Sequence, residues 1–139
     1  MKSHIAYAVW NGTVKEGNGT LTTKSEVLNN APYTFATRFG EGAGTNPDEL
    51  IAAAHAGCFV MALSMILGQS GFTPDSLEAK AEITMNPEKL ELVSSHLTLK
   101  ATIPNIDNEK FLECANAAKE NCPVSKVLNL KITLDASLV

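Results

Sequence analysis

Asn46-Pro47-Asp48-Glu49-Leu50-Ile51-Ala52-Ala53-Ala54-His55-Ala56-Gly57-Cys58-Phe59-Val60-Met61-Ala62-Leu63-Ser64-Met65-Ile66-Leu67 is the stretch that organises the rest of the chain. Asn46 suits a helix N-cap, Pro47 fits the first helical position, and Glu49 three residues after the cap can reach back to complete a capping box. Gly68, Gly71 and Pro74 stop the helix near Leu67. From Leu50 to Leu67 there are eighteen residues without a formal charge, long enough to raise a membrane span. The run is rich in Ala rather than Leu and is flanked by Asp48 and Glu49 instead of Lys or Arg, which favours a buried helix of a soluble protein. A helix apolar on every face is hard to cover within one small domain. The expectation is therefore a homodimer in which the helix packs against its symmetry mate, with a monomer that wraps the helix in its own strands as the alternative.

Before this helix, the turn-forming groups Asn11-Gly12, Gly17-Asn18-Gly19 and Asn29-Asn30 break the chain into short strands, an antiparallel meander. Residues Tyr33 to Phe39 alternate, which predicts a strand with Tyr33, Phe35 and Phe39 on one face and Ala36 and Arg38 on the other. After it, two alternating runs around Asn86-Pro87 predict a hairpin, and Asp107 can cap a second helix that Pro123 interrupts. The tail from Leu130 to Leu138 alternates as a strand buried on one face. The order β-meander, helix, hairpin, helix, strand describes an α+β domain.

At 139 residues there is room for one core and not for two, so a single domain over residues 1–139 is expected. Ten Lys and one Arg against fifteen Asp plus Glu give a net charge of −4, which disfavours nucleic acid and anionic membranes as partners. The first dozen residues hold no apolar run of signal-peptide length, and a cytoplasmic location is the default expectation. Three cysteines, Cys58, Cys114 and Cys122, make a structural disulfide framework improbable in a reducing compartment.

A cysteine in mid-helix usually behaves as a small hydrophobe, and Cys58 lacks the N-terminal dipole that lowers a thiol pKa. If it reacts, a cation must come from elsewhere. Arg38 is the only arginine in the chain, and it can stabilise a thiolate at Cys58 while Glu49 orients it, or else remain a solvated edge-strand residue. Cys122 stands where Pro123 can begin a new helical turn, which places its sulfur at an N-cap near unpaired N–H groups, with Lys126 four residues on. The alternative is a thiol that plugs a helix kink. Cys114 reads as core, His55 as a satisfied core or interface histidine, although it could touch Cys58 as a base, and His4 and His96 as solvent-facing strand residues. Zinc is a poor fit, because no CxxC or HExxH spacing occurs.

Thr45 to Phe59, together with Asn121-Cys122-Pro123-Val124-Ser125-Lys126-Val127-Leu128, closely resembles the two cysteine motifs of the OsmC/Ohr family of thiol peroxidases. Thr37-Arg38-Phe39 and the terminal strand resemble its OsmC branch, as does His55 before Cys58. The resemblance implies a β(3)-α-β(2)-α-β fold with strands exchanged around two central helices in a homodimer. It implies that Cys58 is the peroxidatic thiolate, Cys122 the resolving thiol, and Arg38 with Glu49 the pair that activates Cys58 and positions the peroxide. Cys114 has no role in that pattern. No cofactor is implied; the reaction would need an organic hydroperoxide and a dithiol reductant, for which the family suggests a lipoyl group. The competing expectation is a stress-induced or redox-sensing protein on the same scaffold whose cysteines do not turn over.

Overall fold

A computed structural model describes all residues 1–139, in the order β1 (Ala6–Asn11), β2 (Asn18–Thr23), β3 (Ala31–Tyr33), α1 (Phe35–Phe39), α2 (Pro47–Gln69), β4 (Ser76–Asn86), β5 (Glu91–Thr102), α3 (Asn108–Asn121), α4 (Pro123–Val127) and β6 (Lys131–Leu138). This is the expected α+β order, with the helical turn expected after Pro123 present as α4 and one short helix, α1, added. The chain forms two compact units, Met1–Leu50 and Ile51–Val139.

In the first unit β1, β2 and β3 form an antiparallel sheet in that order. Gly19 pairs with Trp10 on one side and Tyr33 on the other. The two rings meet edge-on over it with centroids 5.2 Å apart, and a Cβ on Gly19 would come within 2.6 Å of both. Gly19 thus serves close approach inside β2 and not the turn expected of Gly17-Asn18-Gly19.

The strand expected over Tyr33 to Phe39 ends at Tyr33 and gives way to α1. Thr34 caps this helix: its hydroxyl accepts from the Thr37 amide at 3.2 Å, and the Thr37 hydroxyl accepts from the Thr34 amide at 2.8 Å. This reciprocal box satisfies two amides that a strand would have left for a neighbour. Phe35 and Phe39, four apart, stack at 4.7 Å between centroids on one helical face.

In the second unit β4 and β5 pair antiparallel through the expected hairpin, and β6 joins the other edge of β5 in parallel, Ser94 opposite Lys131. On β5 the buried set Ser95, Leu97, Leu99 and Ala101 has a period of two and faces the core. Phe59, Leu63 and Leu67 from α2 and Phe111, Cys114, Ala115 and Ala118 from α3 complete that core. The α2 helix ends in a Schellman turn, with Gly71 at φ 86° and the Phe72 amide donating to the Leu67 carbonyl at 2.8 Å.

By length and composition α2 could cross a membrane, and it also carries a core stripe: His55, Phe59, Leu63 and Leu67, four residues apart, are buried. Burial all round is not what a single chain provides. Met61 and Met65, on the opposite side, are 76 % and 60 % exposed.

Candidate active site

Asn46 links α1 to the start of α2. Its Oδ1 accepts from the Glu49 amide at 2.8 Å as an N-cap should, and its Nδ2 donates to the Thr37 carbonyl at 2.9 Å. Arg38, in the last turn of α1, is thereby presented to the first turn of α2. Its Nη2 donates to Asp48 Oδ1 at 3.1 Å and its Nε to Oδ2 at 3.4 Å, a two-pronged ion pair. The guanidinium carbon lies 5.6 Å from the centroid of the Phe39 ring.

The carboxylate that holds Arg38 is therefore Asp48, and the expected Arg38–Glu49 pair is replaced. Glu49 turns instead to Thr45, whose hydroxyl donates to its Oε2 at 2.8 Å, so the capping box expected at Asn46 has only its N-cap half. Positions 48 and 49 lie about 100° apart on a helix, and the nearer face to Arg38 falls to Asp48. Beside Arg38, an apolar cleft of about 210 Å³ is lined by Trp10, Tyr33, Phe35, Phe39 and Pro47. Nothing in a linear reading singles out Asp48 over its neighbour.

In the second unit, Cys122 ends α3 and caps α4, as its position before Pro123 predicts. Its sulfur accepts from the Ser125 amide at 3.3 Å. Cys58 on α2 is half-buried and lies close enough to the Cys122 side chain and the Val124 backbone for both to shift its thiol. Burial pushes the Cys58 thiol up, the Val124 backbone hydrogen bond pulls it down, and Cys122 raises it further. All three cysteines are free, and Cys114 is core.

His55 belongs to this cluster. Fully buried, its Nδ1 lies 2.7 Å from Ser95 Oγ and its Nε2 lies 2.8 Å from Ser125 Oγ. Ser125 Oγ is in turn 3.1 Å from Cys122 Sγ. The expectation of a satisfied core histidine is met, but its partners Ser95 and Ser125, 40 and 70 residues away, carry no sequence signal. No group of three or more His, Cys, Asp and Glu side chains is arranged to hold a metal ion.

Burial lowers the His55 pKa below its ordinary 6.5, so the ring is neutral in the folded protein at pH 7. Below 6.5 the unfolded chain binds a proton at this ring that the folded one does not. Stability contributed by neutral His55 is accordingly complete above pH 6.5 and is lost as pH falls toward the depressed folded value. Urea midpoints measured from pH 7 to 5 should fall, and the part of that fall due to His55 should vanish in His55→Gln.

A family model described as OsmC-like protein matches residues 40–137. Peroxiredoxin OsmC of Escherichia coli is 47 % identical over 133 residues, covering 94 % of this chain and 93 % of its own. The organic hydroperoxide resistance protein OhrB of Bacillus subtilis is 37 % identical over 84 residues, 60 % of this chain and 61 % of OhrB. The crystal structure of that OhrB superposes with a TM-score of 0.66 at 26 % identity, covering 96 % of this chain and 98 % of OhrB. That of an organic hydroperoxide resistance protein from Elizabethkingia anophelis gives 0.74 at 21 % identity over 99 % of both chains, a likeness of fold. The resemblance noted in the two cysteine motifs thus extends over nearly the whole sequence, and the chain belongs to the OsmC-like family.

Proposed function

We propose that this chain is a thiol-dependent peroxidase in which Cys58 is the peroxidatic and Cys122 the resolving cysteine. The observation that carries the reading is that these two thiols, 64 positions apart in sequence, are brought close enough for Cys122 to influence the ionisation of Cys58. The Cys58 thiolate attacks the terminal oxygen of a hydroperoxide, the O–O bond breaks, an alcohol leaves, and the sulfur becomes a sulfenic acid. Cys122 then displaces hydroxide from that sulfur, which leaves as water, and the disulfide passes on to an external dithiol of the lipoyl type.

Because burial pushes the Cys58 thiol up, turnover at neutral pH requires a cation at the sulfur. The family resemblance assigns that role to Arg38, whose guanidinium Asp48 holds and whose planar fork can donate to the peroxide oxygens as charge moves onto the leaving one. Glu49 supports the same segment through Thr45. The apolar cleft beside Arg38 favours an organic hydroperoxide over hydrogen peroxide. The chain acts as one domain over residues 1–139, in the cytoplasm, as a homodimer. Support for the dimer comes from the exposed apolar side of α2, since such a face needs a cover and a second copy offers the same face.

One equivalent of tert-butyl hydroperoxide should convert the reduced protein to a Cys58–Cys122 disulfide found by peptide mapping. Both thiols still free after peroxide is consumed would overturn the assignment. Arg38→Lys should lower kcat/KM for the hydroperoxide at least about tenfold, because an ammonium cannot replace the planar fork that Asp48 holds and the peroxide needs. Undiminished turnover would remove Arg38 from the mechanism.

A further inference from the structure

Cys122 is fully buried, as are His55 and Ser95, and Ser125 is nearly so; with Ser125 in the middle they form one hydrogen-bonded line reaching from α4 through α2 to β5. A thiol in such a place has no bulk water at hand to take its proton, yet only its thiolate attacks a sulfenic acid. We propose that His55, acting through Ser125, takes the proton of Cys122 and so sets the rate at which the sulfenic acid on Cys58 is resolved; the inference rests on the peroxidase reading above.

The geometry allows one continuous arrangement. The Cys122 S–H donates to Ser125 Oγ across 3.1 Å, the Ser125 O–H donates to His55 Nε2 across 2.8 Å, and the His55 Nδ1–H donates to Ser95 Oγ across 2.7 Å. A concerted shift moves the thiol proton to Ser125 and the serine proton to Nε2, leaving an imidazolium. Ser95 fixes the tautomer in which Nε2 is free to accept, and the Ser125 amide steadies the sulfur anion. The Cys122 thiolate then forms the S–S bond to Cys58, whose S–O bond breaks. Hydroxide leaves and takes up the proton parked on His55, so that thiol plus sulfenic acid give disulfide plus water. The sulfenic sulfur is reduced and the thiol sulfur oxidised, and no further reactant is needed.

The groups facing His55 are these two serines, and the titratable ones beyond them are the thiols of Cys122 and Cys58. No carboxylate or ammonium is among the buried side chains of this unit. Burial keeps the imidazole neutral at pH 7, the form that can accept. His55 is therefore a positioning residue that acts through Ser125. In a reducing half-reaction the line runs backwards and returns a proton to Cys122.

The test times the two steps separately by stopped flow: peroxide consumption by Cys58, then disulfide formation, with a dimedone trap marking the sulfenic acid. Ser125→Ala should slow disulfide formation about a hundredfold at pH 7, in the range expected of general acid–base help. The deficit should be smaller at pH 5, because a proton from solvent begins to occupy His55 and removes the acceptor from the unaltered protein as well. Ser125→Thr, which keeps the hydroxyl, should restore the step to within about threefold, and His55→Gln should repeat the Ser125→Ala profile. In the unaltered protein, disulfide formation should run at least about twofold slower in D2O at pH 7.

A deficit of equal size at both pH values, or none, overturns the inference, as does the absence of a solvent isotope effect. Should His55→Gln fail to fold, the Ser125 pair and the D2O measurement still decide. Failure of the underlying reading looks different: the unaltered protein would then give neither a dimedone adduct at Cys58 nor a Cys58–Cys122 disulfide after peroxide.

Discussion

Cys58→Ser should abolish peroxide turnover, with a loss of at least about a thousandfold, while the protein stays folded. A serine hydroxyl is a far weaker nucleophile at neutral pH than a thiol and has no counterpart to the sulfenic acid, so both halves of the cycle disappear together. Cys58 is only half-buried and lies beside the core stripe of α2, not in it, so exchanging sulfur for oxygen leaves the packing of Phe59 and Leu63 in place. Cys122→Ser should fail differently: the first equivalent of peroxide is still reduced, but the sulfenic acid then waits for external thiol or is oxidised further. Cys114→Ser touches neither sulfur and should leave turnover intact. Steady-state assays with an organic hydroperoxide and a dithiol, with mass spectrometry of Cys58 after excess peroxide, separate the three. Activity retained in Cys58→Ser would end the peroxidase reading altogether.

The features legible in the sequence are those set by neighbours along the chain. Asn46 and Pro47 mark the start of α2, and Gly71 and its surroundings mark its end, because caps and stops act within a few residues. The hairpin of β4 and β5 and the terminal strand β6 show through their two-residue period, since each has one face on the core. Tyr33 to Phe39 misleads for a definite reason. Over five residues, alternation at 35, 37 and 39 and helical spacing at 35 and 39 select the same phenylalanines, and the Thr34 and Thr37 box that decides for a helix is compatible with either pattern until its geometry is known. What depends on folding cannot be read at all. Arg38 chooses Asp48 over Glu49 through the angle at which α1 meets α2, and the serines that hold His55 come from β5 and α4.

Phe59→Ala should cost about 3–5 kcal/mol of stability, a fifth or more of the roughly 5–15 kcal/mol a domain usually has. The ring is fully buried at the centre of the α2 stripe, between His55 and Leu63, and its removal leaves a cavity that α3 and β5 cannot collapse to fill without moving Leu97, Leu99 and Phe111. The loss should appear as a lower urea midpoint at every protein concentration, because this core lies within one chain. Met61, on the exposed side of the same helix, makes the contrast. At 76 % exposure in a single chain its replacement by alanine should change stability by less than about 0.5 kcal/mol if nothing covers it. If a second copy packs on that side of α2, Met61→Lys should instead split the protein into monomers in sedimentation equilibrium and make its midpoint depend on concentration. A Met61→Lys protein that sediments and unfolds like the unaltered one would remove the dimer from the proposal and leave the exposed apolar side of α2 for some other cover, while the Phe59 result would stand on the intrachain core alone.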